Sequence, residues 1–198
     1  MLKTEIETYS RPQVTFGYAG IELFDNSYDF EDVRIDGKPV TDAIVRTGGW
    51  KVNNGTLTPD ANRWNYILMG DSTAHDYTFS MRVRRNKGSG QIQLRVRDNG
   101  KEGEANDHIA VSIAPGTCEF YRSAGAVKDT LRSPEPYSFE SNRWYDVKVV
   151  CKDEAVSCYV EDKLVHEVVL PPLPSLVSVA TLETVSYTHL TLPTILLV

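Results

Sequence analysis

Residues 77–83, YTFSMRV, and residues 90–96, GQIQLRV, are the stretches on which the fold turns. In both, apolar and polar side chains alternate, and successive side chains of a strand point to opposite faces of its sheet. Tyr77, Phe79, Met81 and Val83 therefore share one face, as do Ile92, Leu94 and Val96, and these faces belong to a core. The opposite faces carry Thr78, Ser80, Arg82 and Arg84, then Gln91, Gln93, Arg95 and Arg97. Taken as a hairpin joined by the loop around Asn86 to Ser89, the two strands would present a single surface of Arg and Gln. The same alternation recurs in HIAVSI (108–113), YDVKVV (145–150) and VSCYV (156–160). Asp36-Gly37, Asn54-Gly55 and Asn99-Gly100 sit between such runs, and these pairs tolerate the positive φ of tight turns. Pro171, Pro172 and Pro174 interrupt the run that ends at Val169. With almost no helical periodicity, the pattern is that of an all-β sandwich or barrel.

A second hairpin is expected from Trp144 to Cys151 and back from Val156 to Val160, turning at Lys152–Glu154. That register sets Val149 opposite Cys158 and Cys151 opposite Val156. The two cysteines are then diagonal neighbours, too far apart to bridge comfortably. With Cys118 the count is three, so all are expected as small buried apolar side chains.

The chain has 198 residues, 21 basic against 27 acidic, and a net charge of −6. Such a balance argues against nucleic acid as a partner, because neutralising phosphates needs clustered Lys and Arg. No apolar run approaches the ~20 residues of a membrane-spanning helix. The last fourteen residues, VSYTHLTLPTILLV (185–198), carry no formal charge. Val185 to Thr194 are the translation of GTC TCT TAT ACA CAT CTG ACG CTG CCG ACG, which resembles the transposase end and adapter used in sequencing libraries. The expected division is residues 1–27 as an N-terminal segment, either an edge strand or the end of a preceding domain, 28–184 as the sandwich, and 185–198 as adapter-derived sequence. On that expectation the natural protein continues past Thr184.

No residue pattern identifies a catalytic pair. Retaining glycosidases need two carboxylates roughly 5–5.5 Å apart, and the nearest cluster is Asp29, Glu31, Asp32 and Asp36. There Phe30 followed by Val33 and Ile35 implies a bulge, and the acids read as a solvated face with a turn Asp. The loop DNGKEGEAND (98–107) offers oxygen ligands but lacks the EF-hand spacing. His75, His108 and His166 are scattered, at no metal-ligand spacing, and are expected at the surface or at strand ends. Neither a metal nor a cofactor is expected. A sugar needs an aromatic face and a few planar polar groups. The candidate ligand contacts are Arg82, Gln91, Gln93 and Arg95, with Trp64 and Tyr66 as aromatic neighbours, while Trp50 and Trp144 are expected in the core.

Certain segments resemble a known family of sandwiches. GGWKVNNGTLTPD (48–60) followed by DYTFSMRVRR (76–85) is similar to the opening of concanavalin-like domains attached to glycoside hydrolases. NRWYDVKVVCKDEAVSCYVEDKLVHEV (142–168) resembles their terminal double hairpin, with Asp162 where the family often has Gly. YDFEDVRIDGK (28–38) is similar to an edge strand of the accessory domain in α-L-arabinofuranosidases of glycoside hydrolase family 51. The resemblance implies a concanavalin A-like jelly-roll of two antiparallel sheets. It also implies a non-catalytic module that binds glycan or braces the catalytic domain of its parent chain, in a secreted or periplasmic protein. Related sandwiches occur in 3-keto-disaccharide hydrolase-like proteins, which makes an enzyme the main alternative and a structural spacer the third. Two carboxylates close together in a groove would favour the enzyme; a groove of Arg, Gln and aromatics alone would favour binding.

Overall fold

The computed structural model describes residues 14–23, 28–59, 64–86, 90–137 and 139–170. Their strands are β1 Tyr18–Leu23, β2 Tyr28–Ile35, β3 Lys38–Pro39, β4 Ile44–Thr47, β5 Trp50–Asn53, β6 Thr56–Pro59, β7 Asn65–Met69 and β8 Tyr77–Arg85. They continue as β9 Ile92–Asp98, β10 Asp107–Ala114, β11 Gly116–Ala124, β12 Val127–Tyr137, β13 Trp144–Lys152, β14 Ala155–Val160 and β15 Lys163–Val169. A single 3-10 turn among the described residues, Gly103–Ala105, lies between β9 and β10. The prolines at 171–174, the segment 1–13 and the tail 185–198 lie outside the described residues.

Two antiparallel sheets form the sandwich. The first runs β12-β11-β10-β9-β1-β7-β4 and the second β15-β14-β13-β8-β2-β6-β5, with β3 paired to β2. The inner faces meet in one apolar cluster that includes Ile21, Ile67, Leu94, Val111 and Phe120 from the first sheet and Phe30, Phe79, Val147 and Val149 from the second. Alternation puts these side chains there, and burying each stabilises the fold by about 1.5–3 kcal/mol.

The expected hairpin of β8 with β9 does not form. β8 lies between β13 and β2 in the second sheet, whereas β9 lies between β10 and β1 in the first. Alternation fixes which side chains face the core but not which strand is the neighbour. The sequence from Asn86 to Gln91 also has none of the Asn-Gly or Asp-Gly pairs that favour a two-residue turn, and it is long enough to cross the ~10 Å between packed sheets. Arg82 and Arg95 therefore lie on opposite outer surfaces of the sandwich.

Other local readings hold. Val149 stands opposite Cys158 and Cys151 opposite Val156, and all three cysteines are free and buried. Asp36-Gly37 and Asn54-Gly55 have φ of 50°, 75° and 43°, 83°, as their tight turns require. Asp162, at φ 57°, sits in the left-handed turn between β14 and β15. The bulge in β2 falls at Asp32, φ 52°, with a register shift between Glu31 and Arg34 that lets both Phe30 and Val33 face inward.

Two assignments change. Arg97 is not on the outer face: a left-handed residue at φ 52° within the β9 irregularity turns it inward, fully buried, with Nη2 donating to the Asp153 carbonyl. Trp144 is not in the core but on the outer face of the second sheet, under the guanidinium groups of Arg82 and Arg84 at 5.3 and 4.7 Å. Trp50 is half-buried and packs against the core.

Candidate functional site

The outer face of the first sheet holds ionisable side chains that are as buried as the core. In β1, AGIEL, the inward residues Ala19, Ile21 and Leu23 leave Gly20 and Glu22 facing out. Cross-strand register then builds two rows. Tyr66, Glu22, Gln93, Ser112 and Glu119 form one, and Leu68, Gly20, Arg95, Ala110 and Tyr121 form the other. Gly20 brings the backbone of β1 close against its neighbours in the second row. A Cβ there would stand 2.9 Å from the Ile67 carbonyl oxygen and 3.6 Å from the Arg95 Cβ.

Arg95 is the hub. Its Nε donates to Glu22 Oε2 at 2.6 Å, its Nη2 contacts the same oxygen, and its Nη1 donates to Asp98 Oδ2 at 3.2 Å. The guanidinium also lies 4.0 Å over the Tyr66 ring, a cation–π contact. Asp98 is saturated: Oδ2 accepts from the Tyr66 hydroxyl at 2.6 Å, and Oδ1 accepts from Gly100 N at 2.8 Å and Asn106 Nδ2 at 3.4 Å. Relative exposure is 2% for Glu22, 9% for Arg95, 0% for Asp98 and 2% for His108. Two carboxylates thus grip one guanidinium away from bulk water, where electrostatic interactions are stronger than at the surface.

Glu22 Oε1 has no hydrogen-bond partner among the described residues, whereas Oε2 takes both bonds from Arg95. Burial pushes the Glu22 carboxyl above its ordinary value, although Arg95 pulls the other way. The result is a carboxylate with an unused oxygen and heightened affinity for a proton.

His108 is anchored in a definite tautomer. Asn106 Nδ2 donates to the Lys101 carbonyl at 2.8 Å, so Asn106 Oδ1 is the atom that accepts from His108 Nδ1 at 2.7 Å. With the proton on Nδ1, Nε2 bears a lone pair, and it is buried without a partner among the described residues. Burial, followed by the charge of Arg95, lowers its pKa to about 3. Tyr66 is held protonated, its phenol pushed well above the ordinary value by burial and then by the Asp98 carboxylate.

Of the six ligand candidates, Arg95 and Tyr66 meet directly, and Gln93 lies beside Glu22 in the same row. Gln91 is exposed just before β9, and Trp64 is 49% exposed just before β7. Arg82 is separated from them, bound on the second sheet to Glu31 at 2.6 Å and near Asp146 at 3.5 Å. Sequence reasoning missed Glu22, and it expected His108 and His166 at the surface or at strand ends; His108 is the second residue of β10, but both are buried, 2% and 3% exposed. The available signal was Glu22 itself, an acid facing out beside a glycine in an otherwise apolar strand. The loop considered for calcium instead contributes Asp98 and Asn106 to the network, and no metal-binding group of His, Cys, Asp and Glu occurs among the described residues. Asp29 and Glu31 form ion pairs with Arg84 and Arg82, with side chains more than a third exposed, as expected of a solvated face.

A cleft of about 540 Å³ opens at one end of the sandwich, lined by Tyr18, Ile44, Leu68, Asp71 and Tyr77 among others. A shallower one, about 240 Å³, lies beside Arg82 and Lys148. Neither is lined by Glu22 or Arg95. The site is assigned by chemistry, since a buried carboxylate with an unused oxygen is a stronger functional mark than concavity.

No curated protein and no solved structure is matched by the chain. Residues 21–184, a span that includes every member of the Glu22–Arg95–Asp98–His108 network, match the 3-keto-alpha-glucoside-1,2-lyase-like domain, and the chain belongs to that family.

Proposed function

We propose that the protein is an enzyme that eliminates the aglycone from a sugar bearing a keto group at C3, with Glu22 as the proton acceptor. The observation that carries this reading is Glu22: a buried carboxylate with one oxygen fixed by Arg95, the other unused, and a raised pKa. In a 3-keto-glucoside the C2 proton is acidified by the neighbouring carbonyl. Glu22 would take that proton, and the electron pair would move toward the C3 oxygen. Collapse of the enolate would form the C1–C2 double bond, restore the ketone and break the C1–O bond, releasing the aglycone as its alcohol once protonated. Arg95 holds Glu22 in place, and His108 Nε2 can accept a hydrogen bond from a sugar hydroxyl. A positioned general base contributes about 10²–10⁴ in rate. Glu22→Gln should lower kcat/KM on a 3-keto-α-glucoside at least ~100-fold, read as loss of the enone chromophore, in a variant that keeps native-like circular dichroism at the assay temperature. A Glu22→Gln variant as active as the wild type would remove Glu22 from the mechanism.

A second reading keeps the accessory role, with a glycan bound weakly beside an α-L-arabinofuranosidase catalytic domain. It is favoured by Trp64, 49% exposed next to Tyr66, Gln93 and Gln91. If the wild type leaves 3-keto-glucosides untouched yet is retarded on arabinan or arabinoxylan gels, and Trp64→Ala abolishes that retardation, this reading replaces the first. The spacer alternative has no comparable support. A secreted or periplasmic location belongs with both carbohydrate readings.

A further inference from the structure

We propose that Cys118 and Cys158 form a disulfide that staples the first sheet to the second when the chain folds in an oxidising environment. Cys118 lies on β11 and Cys158 on β14, and both point into the single core cluster with 0% exposure. They sit at the edge where the sheets come closest. β11 and β12 each approach β15 to within 8 Å between Cα atoms, inside the ~10 Å usual for packed sheets. The level is fixed from both sides. His166, the register partner of Cys158, meets edge-on the ring of Phe120, two residues from Cys118, with centroids 5.0 Å apart.

The neighbouring Cys118 thiol and burial hold the Cys158 thiol well above its ordinary range. Cys151 is set apart from this pair. It faces Tyr77 and Arg97, and its diagonal position on the same sheet as Cys158 offers no bridging geometry.

Closing the bond joins the two sulfurs and removes one proton and one electron from each cysteine. The two electrons reduce a disulfide oxidant of the glutathione type to two thiols. Thiolate is the reacting form, so exchange belongs to folding, before burial suppresses ionisation. Afterwards a closed core shields the bond from reductant. The inference stands apart from the enzymatic reading, since neither cysteine belongs to the Glu22 network.

The test refolds the full chain from reducing denaturant, with and without a reduced and oxidised glutathione buffer, and then alkylates the free thiols under denaturing conditions. Expected after oxidative refolding are one alkylated cysteine, Cys151, a cross-linked peptide pair containing Cys118 and Cys158, and a melting temperature raised by roughly 5–15 °C. Cys151→Ala should form the same cross-link with the same stabilisation and no alkylated cysteine, and Cys158→Ala should lose the cross-link and the stabilisation. Native-like circular dichroism with all three thiols alkylated, or a bridge that includes Cys151, would overturn the proposal. The peptide map of the wild type decides the matter even if a cysteine variant fails to fold.

Discussion

The two outer faces of the sandwich use the same pairing for opposite ends. On the second sheet Arg82–Glu31 and Arg84–Asp29 are well-formed ion pairs, but their side chains are 36–44% exposed. On the first sheet the side chains of Glu22, Arg95 and Asp98 are 3%, 11% and 0% exposed. Water screens the pairs of the second sheet and is largely absent from those of the first. Guanidinium–carboxylate contact therefore says little by itself, and burial decides whether it is a solvated surface or a tuned site.

The largest test of this contrast is Arg95→Ala. It leaves Glu22 and Asp98 buried without their cation, so a loss of about 3–5 kcal/mol in unfolding free energy is expected by denaturant titration, together with loss of activity. A loss within about 1 kcal/mol would mean that the first face is solvated like the second.

Acid should reveal the second difference. His108 has its folded-state pKa lowered from 6.5 to about 3, so the unfolded chain binds the extra proton first. Its contribution is complete above pH 6.5 and is lost as pH falls toward 3, up to about 5 kcal/mol. Glu22 works in the opposite sense. Its raised pKa makes ionisation costly in the folded state, and stability falls as pH rises past 4.5, the ordinary glutamate value. His108→Gln should flatten the acid limb of a stability profile measured by denaturant titration.

Gly20→Ala comes next. A Cβ 2.9 Å from the Ile67 carbonyl and 3.0 Å from Leu68 Cδ2 forces the strands to adjust, at about 1–3 kcal/mol. It also pushes against Arg95, whose Cβ would lie 3.6 Å away, so activity should fall further than stability alone explains. The smallest effect is expected from Arg82→Ala, about 1 kcal/mol or less and diminished by salt. A cost equal to that of Arg95→Ala would dissolve the distinction between the faces.

How far these features are legible in the sequence depends on the distance over which they are encoded. The hairpin of β13 and β14 is readable to the residue, because a short turn and an alternating pattern specify register locally. The bulge at Asp32 is readable from the break in apolar spacing. Arg95 and Tyr66 are readable as polar and aromatic candidates but not as partners, since 29 positions separate them in the chain. Glu22 escapes notice because one acid in a short apolar strand has no periodic signature. Arg97 falls on the wrong face because a single left-handed residue reverses alternation, and no glycine announces it.

By itself the sequence determined an all-β chain with defined inward faces, tight turns at Asp36-Gly37 and Asn54-Gly55, three buried cysteines and an acidic net charge. Each of these follows from neighbouring residues or from composition. Only the tertiary structure decided that β8 and β9 part into different sheets, that Glu22, Arg95, Asp98 and His108 converge, and that they converge away from water. Strand order and burial depend on contacts between distant segments, and a carboxylate's proton affinity is set by the environment those contacts create.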